Sequence, residues 1–148
     1  MSTGEELSYE VTLKVRDTCL CLHLQRAARA LARRFDTALR AFDLTNGQFS
    51  LLMSLNRPEP ASMGNVASLL AMDRTTLTAA IKPLERRGLL NITIDPNDRR
   101  HRHLILTPAG RRLLAAAVPV WEAEHEAIDR QFGKTHPNRL REDLRALL

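Results

Sequence analysis

The sequence predicts a mainly α-helical protein with one small β-hairpin. Helical spacing of apolar residues runs through most of the chain, two short helices meet at a tight turn near Ala71, and a period-two segment with a charged tip follows them. With 148 residues, 44% of them hydrophobic, the chain can bury one core. We therefore expect a single compact domain.

The first helix is predicted from the spacing of its apolar residues. Between about Val11 and Phe42 they recur at steps of three and four, as on one face of an amphipathic helix. The members of this stripe are Leu20, Leu24, Ala27, Leu31, Phe35, Leu39 and Phe42. We expect one long, continuous helix.

Capping residues mark the next three helices. Thr45 and Gln48 fit a capping box that opens a second helix, which ends near Asn56. Ser62 is the expected cap of a short third helix, and Asp73 is the expected cap of the fourth.

A β-hairpin is predicted over residues 90–106, with a basic, turn-rich tip at residues 95–103. Thr107 and Pro108 then open a further helix as its cap and first residue. A last helix begins near Pro137. This order of elements is that of a winged helix-turn-helix, in which the second short helix enters the major groove of DNA and the hairpin is the wing.

We expect three regions along the chain. Residues 1–44 are an N-terminal segment and a long dimerisation helix, residues 45–107 are the DNA-binding lobe, and residues 108–148 are C-terminal dimerisation helices. We expect them to form one intertwined domain.

The outward face of the fourth helix is small, polar and basic. At 100° per residue, Leu77, Ile81 and Leu84 share one side of this helix. Thr hydroxyls can bond bases or phosphates, small methyl groups can contact thymine, and Lys or Arg can reach guanine or the backbone. The predicted DNA contacts on this helix are Arg74, Thr75, Thr76, Thr78, Ala79, Lys82 and Arg86.

The hairpin tip concentrates positive charge. The whole chain has a net charge of +5, which suggests a polyanionic partner. Arginines crowded on a tip repel one another unless they meet an anion, and the narrow minor groove attracts inserted Arg. The predicted wing contacts are Arg99, Arg100, His101 and Arg102. An exposed basic loop without a ligand is the alternative.

The chain resembles the MarR family of regulators over nearly its whole length. The resemblance is carried by the segments SMGNVASLLAMDRTTLTAAIKPLERRGLL and DPNDRRHRHLILTPAG, the second of which contains Asp98-Arg99-Arg100 followed by Leu106-Thr107-Pro108-Ala109-Gly110. It implies that Arg100 enters the minor groove and that Asp98 orients arginines of the wing or helix. It also implies that the first and last two helices interlock with a second subunit.

A homodimer is also expected from unpartnered apolar residues. The last helix carries a stripe of leucines, and the first helix carries a stripe of apolar residues. A monomer this small has no other element to cover either stripe. The predicted dimerisation residues are Leu140, Leu144, Leu147 and Leu148. Two recognition helices about one DNA turn apart, ~34 Å, would read an imperfect palindrome.

Two kinds of signal could control DNA binding by this chain. A small aromatic or amphipathic ligand, which the family resemblance implies, would bind near Arg16 and His23. Alternatively, Cys21 is placed like the reactive cysteine of the hydroperoxide-sensing branch of the family, but Gln25 and Phe35 stand where that branch has tyrosines. We therefore expect a repressor released by a small ligand, with no thiolate-stabilising hydrogen bonds at Cys21.

Other classes find less support. The chain has no Gly-rich phosphate loop, Gly-x-Ser-x-Gly or His-Glu-x-x-His motif, so we predict that it is not an enzyme. A basic helical module that binds an acidic protein is the alternative class. We expect no cofactor and no metal, because two cysteines are too few for a structural zinc site. The chain has no secretory signal and no apolar run of ~18 residues, which predicts a cytoplasmic protein without a membrane partner.

Overall fold

A computed structural model describes residues 6–133 and 136–148. Seven α-helices and a three-stranded antiparallel sheet occupy the described ranges. The helices are α1 Tyr9–Thr18, α2 Leu20–Ala38, α3 Asn46–Ser54, α4 Met63–Leu69, α5 Arg74–Arg86, α6 Pro108–Gln131 and α7 Pro137–Arg145, and the strands are β1 Ala61–Ser62, β2 Leu90–Ile94 and β3 Arg102–Leu106. The chain divides into two compact units, of which the first ends at Arg34 and the second begins at Phe35.

The prediction of one continuous first helix is wrong. α1 ends at Thr18, and Cys19 has an extended backbone with φ −67° and ψ 107°. The Cys19 sulfur accepts a hydrogen bond from the Leu22 amide at 3.5 Å, as the side chain of an N-cap residue does. Apolar spacing continues across this break, so periodicity alone did not reveal it. A 3-10 turn at Arg40–Phe42 follows α2, where the long helix was expected to continue.

The predicted caps are confirmed. Each capping oxygen accepts a backbone N–H three residues later, which satisfies a donor that the first helical turn leaves unpaired. The pairs are Thr45 with Gln48 at 3.1 Å, Ser62 with Asn65 at 3.1 Å, Asp73 with Thr76 at 2.7 Å and Thr107 with Gly110 at 3.0 Å. The Gln48 side chain also accepts from the Thr45 amide, which completes the capping box.

The predicted hairpin is confirmed, and a third strand joins it. β2 and β3 pair antiparallel, with Leu90 opposite Leu106. β1 pairs with the other edge of β3, with Ala61 opposite Leu104, and gives the strand order β1-β3-β2. A two-residue strand has no period that a sequence can display, so β1 was not predicted.

The core of the second unit gathers one face of each helix from α3 to α6 and the inner side of the sheet. Its most deeply buried large side chains are Leu39, Leu51, Leu52, Val66, Leu77, Ile81, Leu84, Leu90 and Leu104. Gly110 is required where α6 passes the chain before β2, because a Cβ there would clash with the Leu89 carbonyl oxygen. This contact fixes α6 against the sheet.

The C-terminal helix α7 has no buried residue. The four leucines predicted for dimerisation are all exposed, by 41% for Leu140, 38% for Leu144, 56% for Leu147 and 92% for Leu148. None of the described helices combines the length and the hydropathy needed to cross a bilayer.

Candidate nucleic-acid interface

Helix α5 is fixed by its apolar face and its cap. Leu77, Ile81 and Leu84 are at most 1% exposed, and Asp73 caps the first turn. Packing of this face in the core leaves the opposite face to solvent. The seven predicted DNA contacts on this helix are all exposed: Arg74, Thr75, Thr76, Thr78, Ala79, Lys82 and Arg86. The structure therefore collects them on one accessible surface.

Two threonine hydroxyl protons on α5 are already used within the helix. Thr76 Oγ1 donates to Asp73 Oδ2 at 3.0 Å, and Thr78 Oγ1 donates to the Arg74 carbonyl at 2.8 Å. The Thr76 amide and hydroxyl together lower the pKa of the Asp73 carboxyl. Thr76 and Thr78 thus present acceptor lone pairs and methyl groups outward, which suits a donor or a thymine methyl on DNA.

The wing tip holds a bidentate ion pair. Asp98 Oδ1 accepts from Arg100 Nε, and Asp98 Oδ2 accepts from Arg100 Nη2, both at 3.1 Å. The Arg100 side chain is 88% exposed. These hydrogen bonds lower the pKa of Asp98 and raise the pKa of Arg100, so both groups are charged at neutral pH. The pair holds an exposed guanidinium in one orientation on the wing.

Hydrogen bonds to backbone carbonyl groups hold the remaining residues of the wing tip. The Asp95 amide donates to the His101 carbonyl and the His101 amide donates to the Asp98 carbonyl, each at 3.0 Å. Arg102 Nη1 donates to the Arg99 carbonyl at 2.9 Å. His101 Nε2 lies 3.9 Å from Asp98 Oδ2. The tip is a defined turn that displays several basic groups.

A small notch lies between the helix-turn-helix and the wing. It has a volume of about 180 Å³ and is lined by Ser62, Met63, Gly64, Arg74, His101 and Arg102. The sequence assigned Ser62 only a capping role and gave Gly64 none. No local pattern could bring them to the wing, because they precede it by almost forty residues.

The candidate sensor residues lie in the first unit. Arg16 forms a bidentate ion pair with Asp17, with bonds of 2.6 and 3.1 Å, which raises the pKa of Arg16. His23 Nδ1 lies 2.8 Å from the Cys19 carbonyl oxygen. His23 lines a cavity of about 480 Å³ with Arg26, Ala27, Arg29, Ala30 and Arg33. Arg16 and Cys21 are not among its lining residues, so the structure does not gather the three in that cavity.

The expectation that Cys21 lacks thiolate-stabilising hydrogen bonds is contradicted by one side-chain donor. The thiol is exposed, and Gln25 Nε2 donates to its sulfur at 3.3 Å. Gln25 is one helical turn after Cys21, which places its amide within reach of the sulfur.

A ring-lined cavity of about 200 Å³ was not predicted. Its lining residues are Phe35, Leu39, Asn46, Phe49, Ser50, Trp121 and His125. The His125 ring centroid lies 4.4 Å from that of Trp121 and 4.9 Å from that of Phe35. Burial, together with the positive charge of Arg141, lowers the pKa of His125, although Asp129 opposes this. Its only sequence signal was the spacing of Trp121 and His125, four residues apart on one predicted helix.

No metal site is formed by the part of the chain that the structure describes, since it holds no group of three His, Cys, Asp or Glu residues placed to bind an ion. The expected absence of a metal concerned the whole chain and stays a prediction.

Comparisons with known proteins converge on one family. The MarR family model matches residues 44–101. The transcriptional activatory protein BadR of Rhodopseudomonas palustris is 34% identical over 106 residues, which cover 70% of this chain and 57% of BadR. This chain therefore spans little more than half of that relative.

Solved structures match over more of their length. The transcriptional regulator MosR of Mycobacterium tuberculosis, solved in complex with DNA, is 33% identical with a TM-score of 0.79, covering 87% of this chain and 92% of MosR. BpsR of Bordetella bronchiseptica is 31% identical with a TM-score of 0.67, covering 84% and 92%. The BpsR structure is described as explaining how 6-hydroxynicotinic acid regulates its DNA binding.

Proposed function

The chain belongs to the MarR family of transcription regulators, and from that premise we propose that it is a homodimeric, sequence-specific repressor released from duplex DNA by a small aromatic acid. The observation that carries the proposal is the joint exposure of the polar face of α5 and of Arg100, which Asp98 holds on the wing tip. The solved complex of MosR with DNA supports duplex DNA as the partner.

In this mechanism α5 enters the major groove and the wing tip reaches the adjacent minor groove. Thr75, Thr78 and Ala79 meet base edges, while Lys82 reaches guanine or phosphate. Arg100 inserts where a narrow minor groove concentrates negative potential. Its Asp98 partner limits the side-chain freedom that Arg100 loses on binding, which favours association.

A second copy of the chain covers the exposed leucines of α7. Leu140 and Leu144 lie one helical turn apart and are each more than a third exposed. Contiguous apolar surface of this kind is typical of an interface. A twofold dimer presents two copies of α5 to successive major grooves, which predicts a palindromic operator.

Binding of the dimer over a promoter excludes polymerase, which makes repression the expected outcome. BadR is described as an activatory protein, so the direction requires its own test. Transcription from the bound promoter in a purified system measures it. A fall in transcript on addition of the protein supports repression, and a rise would identify an activator.

The ring-lined cavity suits the aromatic part of an effector better than the surroundings of Arg16 do, because Arg16 is already paired with Asp17. Its volume of about 200 Å³ exceeds the ~150 Å³ that is known to hold a benzene ring. Asn46 and Ser50 add polar groups at the cavity wall. The lowered pKa of His125 keeps its imidazole neutral at pH 7, so that it can donate or accept a hydrogen bond.

DNA binding is tested with an operator selected from random duplexes. We expect specific affinity that falls steeply with salt, because phosphate contacts release counterions. Arg100→Ala should weaken binding roughly tenfold or more, whereas Arg40→Ala should change it little, because Arg40 precedes the DNA-binding lobe. Equal affinity for random and selected DNA would refute specific binding. Similar losses from both variants would show that general charge, rather than the wing, binds DNA.

Effector binding has an internal probe, because Trp121 is the one tryptophan of the sequence and lines the cavity. Titration with hydroxylated aromatic acids should change Trp121 fluorescence at the concentrations that release the operator. Phe49→Ala should weaken both effects equally, since the Phe49 and Trp121 rings stack at 5.9 Å. Release of DNA without any change in fluorescence would place the effector elsewhere.

Thiol oxidation is the second candidate signal, favoured by the exposed Cys21 and its Gln25 donor. An organic hydroperoxide would convert the thiolate to a sulfenic acid and itself be reduced to an alcohol. Operator binding with and without peroxide separates the two signals. Release in the native protein that is lost in Cys21→Ser would make this protein an oxidation sensor, and equal behaviour would leave the ligand as the signal.

A further inference from the structure

The notch between the helix-turn-helix and the wing differs from the rest of the basic surface because three elements of the fold converge on it. Arg74 comes from α5, His101 and Arg102 come from the wing, and Gly64 comes from α4. A cavity of about 180 Å³ with basic groups on two walls has the size and the charge for one tetrahedral anion.

Two acidic residues that neighbour the lining residues in sequence bond to other groups. Asp73 binds the amide and hydroxyl of Thr76, and Asp98 binds Arg100. Within residues 6–133 and 136–148, the Arg74 guanidinium has no hydrogen bond or ion pair. Arg74 is also the first residue of α5, where the helix dipole disfavours a cation. The charge of Arg74 therefore does not stabilise the helix.

Arg102 retains donors for an anion. One guanidinium nitrogen, Nη1, donates to the Arg99 carbonyl, which orients the side chain and leaves N–H groups on Nη2 and Nε. Gly64 leaves room at the other wall, because a Cβ built there would meet no atom within 4 Å. The notch is thus open on the side of α4 and charged on the sides of α5 and the wing.

We infer that this notch binds one backbone phosphate of the operator in each half-site, held by Arg74 and Arg102 with His101 beside them. The inference rests on the proposed DNA binding and deepens it, since the α5 face and Arg100 read bases and grooves whereas the notch fixes the register of the lobe on the strand. A phosphate bound here would link the helix and the wing through DNA.

The test uses full-length protein and operator duplexes in which one phosphate at a time is a neutral methylphosphonate. In the native protein, one position per half-site should lower affinity roughly tenfold, as loss of a charged hydrogen bond does. Arg74→Ala should be insensitive to that replacement while it stays sensitive at the others, and its salt slope should be smaller by about one. Arg112→Ala, which removes an equal charge from α6, should respond at every position as the native protein does.

A second variant blocks the notch without removing charge. Gly64→Leu places a side chain in open space and replaces glycine in a helix, so folding should be retained or strengthened. It should lose affinity and become insensitive at the same phosphate as Arg74→Ala. If Arg74→Ala stays sensitive to replacement at every phosphate, the inference that the notch binds a phosphate is overturned, while specific DNA binding stands. A native protein that binds no selected duplex would instead overturn the proposed function itself.

Discussion

Helices α5 and α7 have similar sequence patterns and opposite surroundings. Both place apolar residues at helical spacing on one face, yet Leu77 and Leu84 of α5 are fully buried while Leu140 and Leu144 of α7 are 41% and 38% exposed. The difference arises because α4 and β2 lie against α5, whereas α7 has no buried residue and its Arg141 forms an exposed ion pair with Asp129 of α6. An amphipathic pattern therefore predicts that a helix will bury a face and leaves open which molecule will cover it.

The N-terminal caps of α5 and α7 also differ, and α5 again has the stronger contacts within the chain. Asp73 gives α5 a side-chain cap, and that helix positions the candidate DNA contacts. His136 precedes α7 and makes no side-chain cap bond. α5 is thus fixed at its N-terminal end as well as along its buried face, whereas α7 has neither a side-chain cap nor a buried residue.

The largest expected effect is a loss of folding stability when a buried leucine of α5 is truncated. Leu77→Ala should lower the free energy of unfolding by about 3 kcal/mol, because Leu77 has no exposed surface and its truncation leaves a cavity. Leu147→Ala, the matched leucine beyond α7, should change it by less than about 0.5 kcal/mol in the monomer. Urea unfolding at low protein concentration measures both. Equal losses would show that the leucine beyond α7 is buried within the chain.

The dimer should depend on α7. Leu140→Ser with Leu144→Ser should weaken self-association by about 2 kcal/mol, since each substitution removes apolar area that the proposed second subunit would cover. Tight operator binding should fall with it. Sedimentation equilibrium gives the dissociation constant, and Glu142→Gln on the same helix is the control. A dimer unchanged by the double substitution, or by removal of residues 137–148, would place the interface elsewhere.

The ion pair that joins α7 to α6 should contribute less. Arg141→Met should cost about 0.5 kcal/mol of stability, because the Arg141 and Asp129 side chains are 39% and 37% exposed and solvent screens them. The same substitution should raise the pKa of His125, since the Arg141 charge lowers it. An NMR titration of His125 measures the shift. An unchanged or lower value would mean that Arg141 does not act on the ring-lined cavity.

The smallest expected effect is on folding stability, and it should appear only at acid pH. The folded-state pKa of Asp73 is lowered, so its cap stabilises α5 at neutral pH and is lost as pH falls from about 4 through the folded pKa. Asp73→Asn keeps a cap that does not titrate, so the variant should lose less stability than the native protein over that range. Urea midpoints at neutral and acid pH compare the two, and His136→Gln at α7 should resemble the native protein. Parallel acid losses in the native protein and Asp73→Asn would contradict this assignment.

Much of the fold could be predicted from residues that lie close together in the sequence. Each predicted cap requires only a residue and the amide three positions later, and the hairpin requires only alternation and a turn, so both were found from the sequence. The exposed face of α5 followed from the same period that buried Leu77. The break at Cys19 was missed because a sulfur capped the next helix, and sulfur is an unusual capping group.

The sequence by itself determined the order of elements, the caps, the buried face of α5 and the basic character of the wing, because each depends on residues close together in the chain. Only the tertiary structure decided which distant residues meet. It brought Gly64 to His101 at the notch and Phe35 to His125 in the ring-lined cavity, since these pairs approach through the packing of whole elements. Sequence spacing encodes periodicity along one element, whereas contacts between elements depend on side-chain volumes across the entire core.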